Sequence, residues 1–264
     1  MIIDGWKISQ EIQKRNKEKI KKRKLDLSLS VVLIGRDLVS LTYVNQKEKA
    51  AQETGIKFLL HQLPLKSTKN KIIETIKKKA KSSSGLIVQL PLIKDEQEIL
   101  DSVPQEKDID LLSQSSLGRF YSGDFSILPP VVGAVSHIFK KKNLQGKHVA
   151  VVGFGRLVGR PLSFWFSCQK ATVTIINEFT PHKNSLIKQA DIVVSGVGCP
   201  GVIKEVKKKA IIIDAGSCFV SGSVKGDASK KACSKASFYT PVPGGIGPIT
   251  TACLIENLIK LNEH

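Results

Sequence analysis

The stretch His148-Val-Ala-Val-Val-Gly-Phe-Gly-Arg-Leu-Val-Gly-Arg-Pro161 constrains the fold more than any other part of the chain. Its first half is a short apolar run bounded by turn residues, the pattern of a buried strand. The run enters three glycines. Gly153 permits a tight turn, Gly155 lets backbone approach a pyrophosphate, and Gly159 lets a helix pack closely on the strand. The helix start that follows offers unpaired N–H groups to an anion. The spacing Gly-x-Gly-x-x-x-Gly is one residue longer than the usual dinucleotide fingerprint. A second strand, Thr172 to Asn177, begins about 20 residues on, as a βαβ unit requires. Glu178 follows it; an acidic residue there accepts hydrogen bonds from ribose hydroxyls and repels a 2′-phosphate, which favours NAD over NADP.

The same alternation runs through the chain. Residues 8–24 read as a polar, lysine-rich helix, and Ser30 to Gly35 as a buried strand. Helix Leu41 to Gly55, strand Lys57 to Leu63, helix Lys69 to Ser82, strand Gly85 to Pro91 and helix Asp95 to Val103 follow. Ser113 to Pro130 is rich in Ser, Gly and Pro, and the main boundary belongs near it. Gly133 to Lys142 reads as a bridging helix. Strands His148 to Gly153, Thr172 to Asn177, Ile192 to Val197 and Ala210 to Asp214 then alternate with helices, and Gly247 to Leu261 is a closing helix. Strands alternating with helices imply parallel βαβ units. The expected fold is α/β, with two lobes around a cleft, the second a Rossmann-type domain, and the last helix returning to the first lobe.

The charge of +18 is the other conspicuous feature. The lysines cluster at Lys14 to Lys24, Lys77 to Lys81, Lys140 to Lys142 and Lys207 to Lys209, without the interleaved aromatics that stacking on single strands requires. A solvated surface, with a field that suits an anionic small molecule, is expected rather than a nucleic-acid partner. No apolar run reaches the roughly 18–20 residues of a membrane span, and the start Met1-Ile-Ile-Asp-Gly-Trp6 has no signal-like pattern. The five cysteines (168, 199, 218, 233 and 253) form no Cys-x-x-Cys pair, so neither a metal clamp nor a disulfide framework is indicated. The expected compartment is the cytoplasm.

Candidate chemistry lies in the first half. Tyr43 and Lys47 stand four apart in a helix and share a face. A lysine there acts as acid or base if desolvation lowers its pKa. Gln89-Leu-Pro-Leu92 closes an apolar strand at the same sheet edge, where the Gln89 amide oxygen can hold the lysine ammonium. Lys107-Asp-Ile-Asp110 then places two carboxylates after Pro104, the plain alternative being a solvated acidic turn.

These pieces, with Thr240-Pro-Val-Pro-Gly-Gly-Ile-Gly-Pro-Ile-Thr250, occur in the order found in bifunctional methylenetetrahydrofolate dehydrogenase/cyclohydrolases, and the chain resembles that family over essentially its whole length. The resemblance implies oxidation of 5,10-methylenetetrahydrofolate with NAD or NADP and hydrolysis of the methenyl product to 10-formyltetrahydrofolate, in one-carbon metabolism. It implies that Lys47 serves the hydrolysis with Gln89, that Tyr43 packs on the folate, and that Asp110 anchors the pterin. It assigns cofactor contacts to Gly153, Phe154, Gly155, Arg156, Val158, Gly159, Glu178 and Gly196. Folate contacts fall to Tyr43, Gln89, Leu90, Pro91, Asp110, Pro243, Gly244, Gly245 and Ile246. In the Thr240–Thr250 loop, Gly244, Gly245 and Gly247 would allow close approach to both ligands, and Pro243 and Pro248 would stiffen it. It further implies a folate-binding catalytic domain at 1–122 plus 248–264, a dinucleotide domain at 123–247, polyglutamylated folates as partners, a homodimer, and no metal.

The chain departs from the family pattern at five places. Leu111 stands where a glycine usually follows the second aspartate, and Leu128-Pro-Pro-Val-Val132 replaces Pro-Cys-Thr-Pro. Gly155 replaces the loop serine, and Phe154 and Glu178 occupy places that are often basic or hydroxyl-bearing. The first two motivate a second reading: a homologue that binds folate or nucleotide as a regulator without turnover.

Overall fold

A computed structural model describes residues 1–92, 95–140, 142–220 and 222–263. In chain order its first elements are α1 (Gly5–Arg23), β1 (Ser28–Ile34), α2 (Leu38–Thr54), β2 (Lys57–Leu63), α3 (Lys69–Lys81), β3 (Gly85–Val88), α4 (Glu96–Asp101), a 3₁₀ turn at Gln105–Lys107, and α5 (Gln114–Tyr121). Then come α6 (Pro130–Phe139), β4 (His148–Val152), α7 (Gly159–Cys168), β5 (Thr172–Ile176), α8 (Lys183–Gln189), β6 (Ile192–Ser195) and β7 (Ile211–Asp214). The chain closes with β8 (Cys218–Val220), β9 (Ser223–Lys225), α9 (Lys230–Lys235), β10 (Phe238–Tyr239) and α10 (Ile246–Leu261). It divides into two compact units, Gln10–Pro130 with Thr251–His264, and Met1–Ser9 with Val131–Thr250.

In the first of these units β1 is the middle strand of a parallel sheet ordered β2-β1-β3. Alternate residues of a strand face opposite sides. Leu29, Val31 and Leu33 accordingly join a core with Val44 and Ala51 of α2 and Leu254, Ile255 and Leu258 of α10. Val32 faces the other way, onto Ile72 and Ile76 of α3 and Ile99 and Leu100 of α4. The second unit carries a five-stranded parallel sheet ordered β10-β7-β6-β4-β5. One of its cores gathers Ala150, Val152, Val193 and Ile212 around Ile187 and Ile203. Phe139 packs edge-on against Phe166, and tilted against Phe238.

Several boundaries differ from the sequence reading, each for a local reason. α2 begins at Leu38 rather than Leu41, because the Asp37 side chain caps it by accepting from the Ser40 N–H at 2.8 Å. α1 starts at Gly5, three residues earlier than read. Pro130, just after Pro129, starts α6 instead of interrupting the chain: a proline in the first helical turn lacks only an N–H that would be unpaired anyway. That helix ends at Phe139, short of Lys142; Lys141 lies outside the described residues. The serine-rich stretch, near which the boundary is expected, holds α5, whose N-cap Ser113 accepts from the Ser116 N–H. β3 ends at Val88 rather than Pro91, although the Gln89 N–H still donates to Val32 O at 2.9 Å.

The lysine runs at 14–24, 77–81 and 207–209 lie mostly exposed. No helix of the described residues is long and apolar enough to cross a membrane, and all five cysteines are free.

Candidate active site

Residue Lys47 sits in the third turn of α2, and its Nζ donates to Gln89 Oε1 at 2.8 Å. The amide is oriented by its other end, since Gln89 Nε2 donates to Leu90 O at 2.7 Å and leaves only the oxygen for the lysine. Gln89 is buried and Lys47 partly so. Burial pushes the Lys47 ammonium below its ordinary pKa, and the Asp110 carboxylate works against that shift. Burial likewise raises the Asp110 carboxyl, with Lys47 pulling it down and Asp108 pushing it further up. Tyr43 lies one turn before Lys47 on the same helix, 41% exposed. Lys47, Gln89 and Asp110 thus come together as one electrostatic group.

Residue Asp108, by contrast, is no solvated turn. It is buried, and its carboxylate accepts from Leu112 N–H at 3.1 Å, Ser113 N–H at 2.9 Å and Ser113 Oγ at 2.6 Å. This closed ring fixes the backbone that presents Asp110. Leu111, where the resemblance expects glycine, takes φ 54° and buries its side chain. The left-handed conformation costs a non-glycine residue roughly 1–2 kcal/mol, which burial of a leucine, worth roughly 1.5–3 kcal/mol, offsets. Asn257 of α10 completes the support: its Nδ2 donates to Ile109 O at 2.9 Å and to Leu128 O at 2.8 Å. Asn257→Leu strands both carbonyls. We expect it to lower stability by about 2–4 kcal/mol, read as a shifted midpoint in urea unfolding; an unshifted midpoint would refute the anchoring role.

In the other unit the glycine loop follows β4 as the sequence places it. Gly153 has φ 88°, and its N–H donates to Ile176 O at 2.7 Å. A Cβ on Gly159 would stand 2.1 Å from Gly153 O, and one on Gly196 2.5 Å from Val158 Cγ1. No described atom comes within 4 Å of where a Gly155 side chain would stand, so that backbone faces open space. Phe154 is exposed beneath the Arg160 guanidinium, 5.7 Å from the ring centroid, and Arg160 Nε donates to Phe154 O at 3.2 Å. Glu178 is exposed two residues past the end of β5.

The loop from Thr240 to Thr250 is held by a residue the sequence reading passed over. Gly5 N–H donates to Gly244 O at 2.9 Å, and a Cβ on Gly5 would stand 1.9 Å from Gly245 O. Gly244 has φ 93°, and Ile246, buried, begins α10. Gly5 lies far from the loop in sequence, and only a tertiary contact reveals its need to be glycine.

Set beside known proteins, residues 3–110 match the family described as Tetrahydrofolate dehydrogenase/cyclohydrolase, catalytic domain. Residues 129–264 match Tetrahydrofolate dehydrogenase/cyclohydrolase, NAD(P)-binding domain. The Bifunctional protein FolD of Exiguobacterium sibiricum is 36% identical, with 98% of each chain covered. The crystal structure of the bifunctional FolD methylenetetrahydrofolate dehydrogenase/cyclohydrolase from Campylobacter jejuni superposes with a TM-score of 0.95 at 32% identity, covering 100% of this chain and 98% of that one. The Trypanosoma brucei enzyme, complexed with NADP cofactor and inhibitor, gives 0.93 at 29% identity over 100% and 97%. The chain belongs to the tetrahydrofolate dehydrogenase/cyclohydrolase family.

Proposed function

We propose that the protein oxidises 5,10-methylenetetrahydrofolate with a nicotinamide dinucleotide and hydrolyses the resulting methenyl compound to 10-formyltetrahydrofolate. The Lys47–Gln89 hydrogen bond beside Asp110 carries this reading, in a chain whose family and glycine loop agree with it. The folate-binding catalytic domain is 1–122 with 248–264, and the dinucleotide domain is 123–247. These functional bounds are not those of the two compact units at every point, since Met1–Ser9 packs with Val131–Thr250.

The residues around β4 fit a dinucleotide: the turn at Gly153 and the tight packing at Gly159 leave Gly155 facing open space, where a pyrophosphate can lie against backbone. Gly153, Phe154, Gly155, Arg156, Val158, Gly159, Glu178 and Gly196 would hold it. The bound dinucleotide supplies the hydride acceptor. Oxidation then asks the protein chiefly for positioning. Tyr43 packs on the folate, Asp110 anchors its pterin, and Gln89, Leu90, Pro91, Pro243, Gly244, Gly245 and Ile246 complete the substrate contacts. In hydrolysis, Lys47 in its neutral form accepts a proton from the attacking water as the water oxygen bonds to the methenyl carbon. It returns that proton to N5 as the C–N5 bond breaks, while the hydroxyl on the carbon gives up its remaining proton to solvent and becomes the formyl carbonyl. Gln89 Oε1 holds one Nζ–H, which fixes the lone pair. No metal is needed. Polyglutamylated substrates, a homodimer and a cytoplasmic location complete the reading on family resemblance; sedimentation velocity tests the dimer.

We further propose NAD as the preferred cofactor. Glu178, just past β5, would repel a 2′-phosphate, and Phe154 and Glu178 occupy places that the family often gives to basic or hydroxyl-bearing residues. The expected result is a kcat/KM for NAD at least about tenfold above that for NADP, roughly 1.4 kcal/mol of discrimination. A strong NADP preference would sink this reading of Glu178.

A further inference from the structure

Two buried carboxylates lie beneath the loops that follow β6 and β7, and among the described residues neither pairs with a lysine or arginine. Asp227 is fully buried. Its Oδ2 accepts from Ser195 Oγ at 2.6 Å, Val197 N–H at 2.8 Å and Gly198 N–H at 3.3 Å, and its Oδ1 accepts from Cys199 N–H at 2.7 Å. Asp214 lies next to it, accepting from Gly216 N–H at 3.1 Å and Ala228 N–H at 2.8 Å. Glycine is required between them: a Cβ on Gly216 would stand 2.1 Å from Asp227 Oδ2, and one on Gly226 2.4 Å from Asp214 Oδ2. Burial, aided by the charge of Asp227, pushes the Asp214 carboxyl up to about 6.

The segment that Asp227 holds is the one that faces the glycine loop. A Cβ on Gly153 would stand 2.9 Å from Val197 Cγ2, and Gly196 has no room for a side chain against Val158. The backbone from 196 to 199 therefore forms a wall beside the Gly153–Gly159 turn. It is pinned from behind by one carboxylate 28 to 30 residues further along the chain. We infer that Asp227 is a positioning residue for the dinucleotide site, its carboxylate holding Val197–Cys199 against Gly153 and Val158 and so setting the width of the gap that receives the dinucleotide. The inference rests on the dinucleotide-site reading above. Asp227 touches no reacting atom; it acts through the wall it fixes.

The full-length Asp227→Asn variant tests this. An amide turns an –NH₂ toward either the Cys199 N–H or the three donors at Oδ2, so part of the cluster loses its acceptor. We expect the Kd for NADH, read by its fluorescence without folate, and the dinucleotide KM both to rise at least about tenfold. Oxidation kcat at saturation, and hydrolysis of supplied methenyltetrahydrofolate, should stay within about twofold. Ser195→Ala, which removes one donor and keeps the carboxylate, should raise the same Kd by about two- to fivefold, and carries the test if Asp227→Asn does not fold. Unchanged NADH affinity in both variants would overturn the inference. So would a uniform loss of affinity, kcat and methenyl hydrolysis, which marks a merely structural residue. Because NADH binding is read without folate, an error in the substrate assignment leaves this result standing on its own.

Discussion

Lys47→Met should lower the rate of methenyltetrahydrofolate hydrolysis by about a thousandfold, the middle of the range for removing a positioned general acid–base group. Methionine keeps length and flexibility but carries no amine. Gln89 Oε1 loses its donor, and nothing remains in the Lys47 position to accept a proton from water. Oxidation should fall by less than about tenfold, because it depends on positioning rather than proton transfer. The pH profile separates the two effects. Burial lowers the Lys47 pKa, and the neutral amine is the active form, so wild-type hydrolysis should rise with pH along a limb below the usual lysine range. In the variant that limb should vanish. Steady-state absorbance assays of both half-reactions check this; equal loss of both, or a retained limb, would remove Lys47 from the chemistry.

The second large effect is expected at the glycine loop. A side chain on Gly159 meets Gly153 O at 2.1 Å and Phe154 Cα at 2.8 Å, both backbone, so no rotamer relieves the clash and the loop itself must move. A displacement of about 1 Å in a positioned group costs about a hundredfold in rate. Gly159→Val should therefore lower kcat/KM for the dinucleotide by at least about a hundredfold. Hydrolysis of supplied methenyl compound should stay within a few-fold, since Lys47, Gln89 and Asp110 belong to the other compact unit. Unaltered dinucleotide kinetics would mean that the turn after β4 does not carry the cofactor.

These effects fall on features that differ in how far the sequence reveals them. The strand and turn at His148–Gly159 are legible because their physics is local: an apolar run, a positive φ and a close approach all leave glycines at fixed spacing. The Lys47–Gln89 pair spans 42 residues, yet each partner follows a parallel strand, and such strands end at one edge, which places both residues there. Asp108, Asp227 and Gly5 left no comparable trace. An aspartate that accepts backbone N–H groups in a closed ring reads in sequence like any surface aspartate. Gly5 must be glycine only because Gly245 O passes over it. α5 was hidden by its own cap: the serines that signal a loop are here the residues that start a helix. Leu111 shows the converse, since buried packing supports a backbone conformation that the residue itself disfavours.

One chain carries both reactions. The most direct test of this follows purified protein, with 5,10-methylenetetrahydrofolate and either NAD or NADP, by absorbance of the reduced dinucleotide and of the methenyl compound. The expected result is folate-dependent dinucleotide reduction, faster with NAD, and hydrolysis of added methenyltetrahydrofolate that disappears in Lys47→Met. Absence of folate-dependent turnover with both dinucleotides would contradict it.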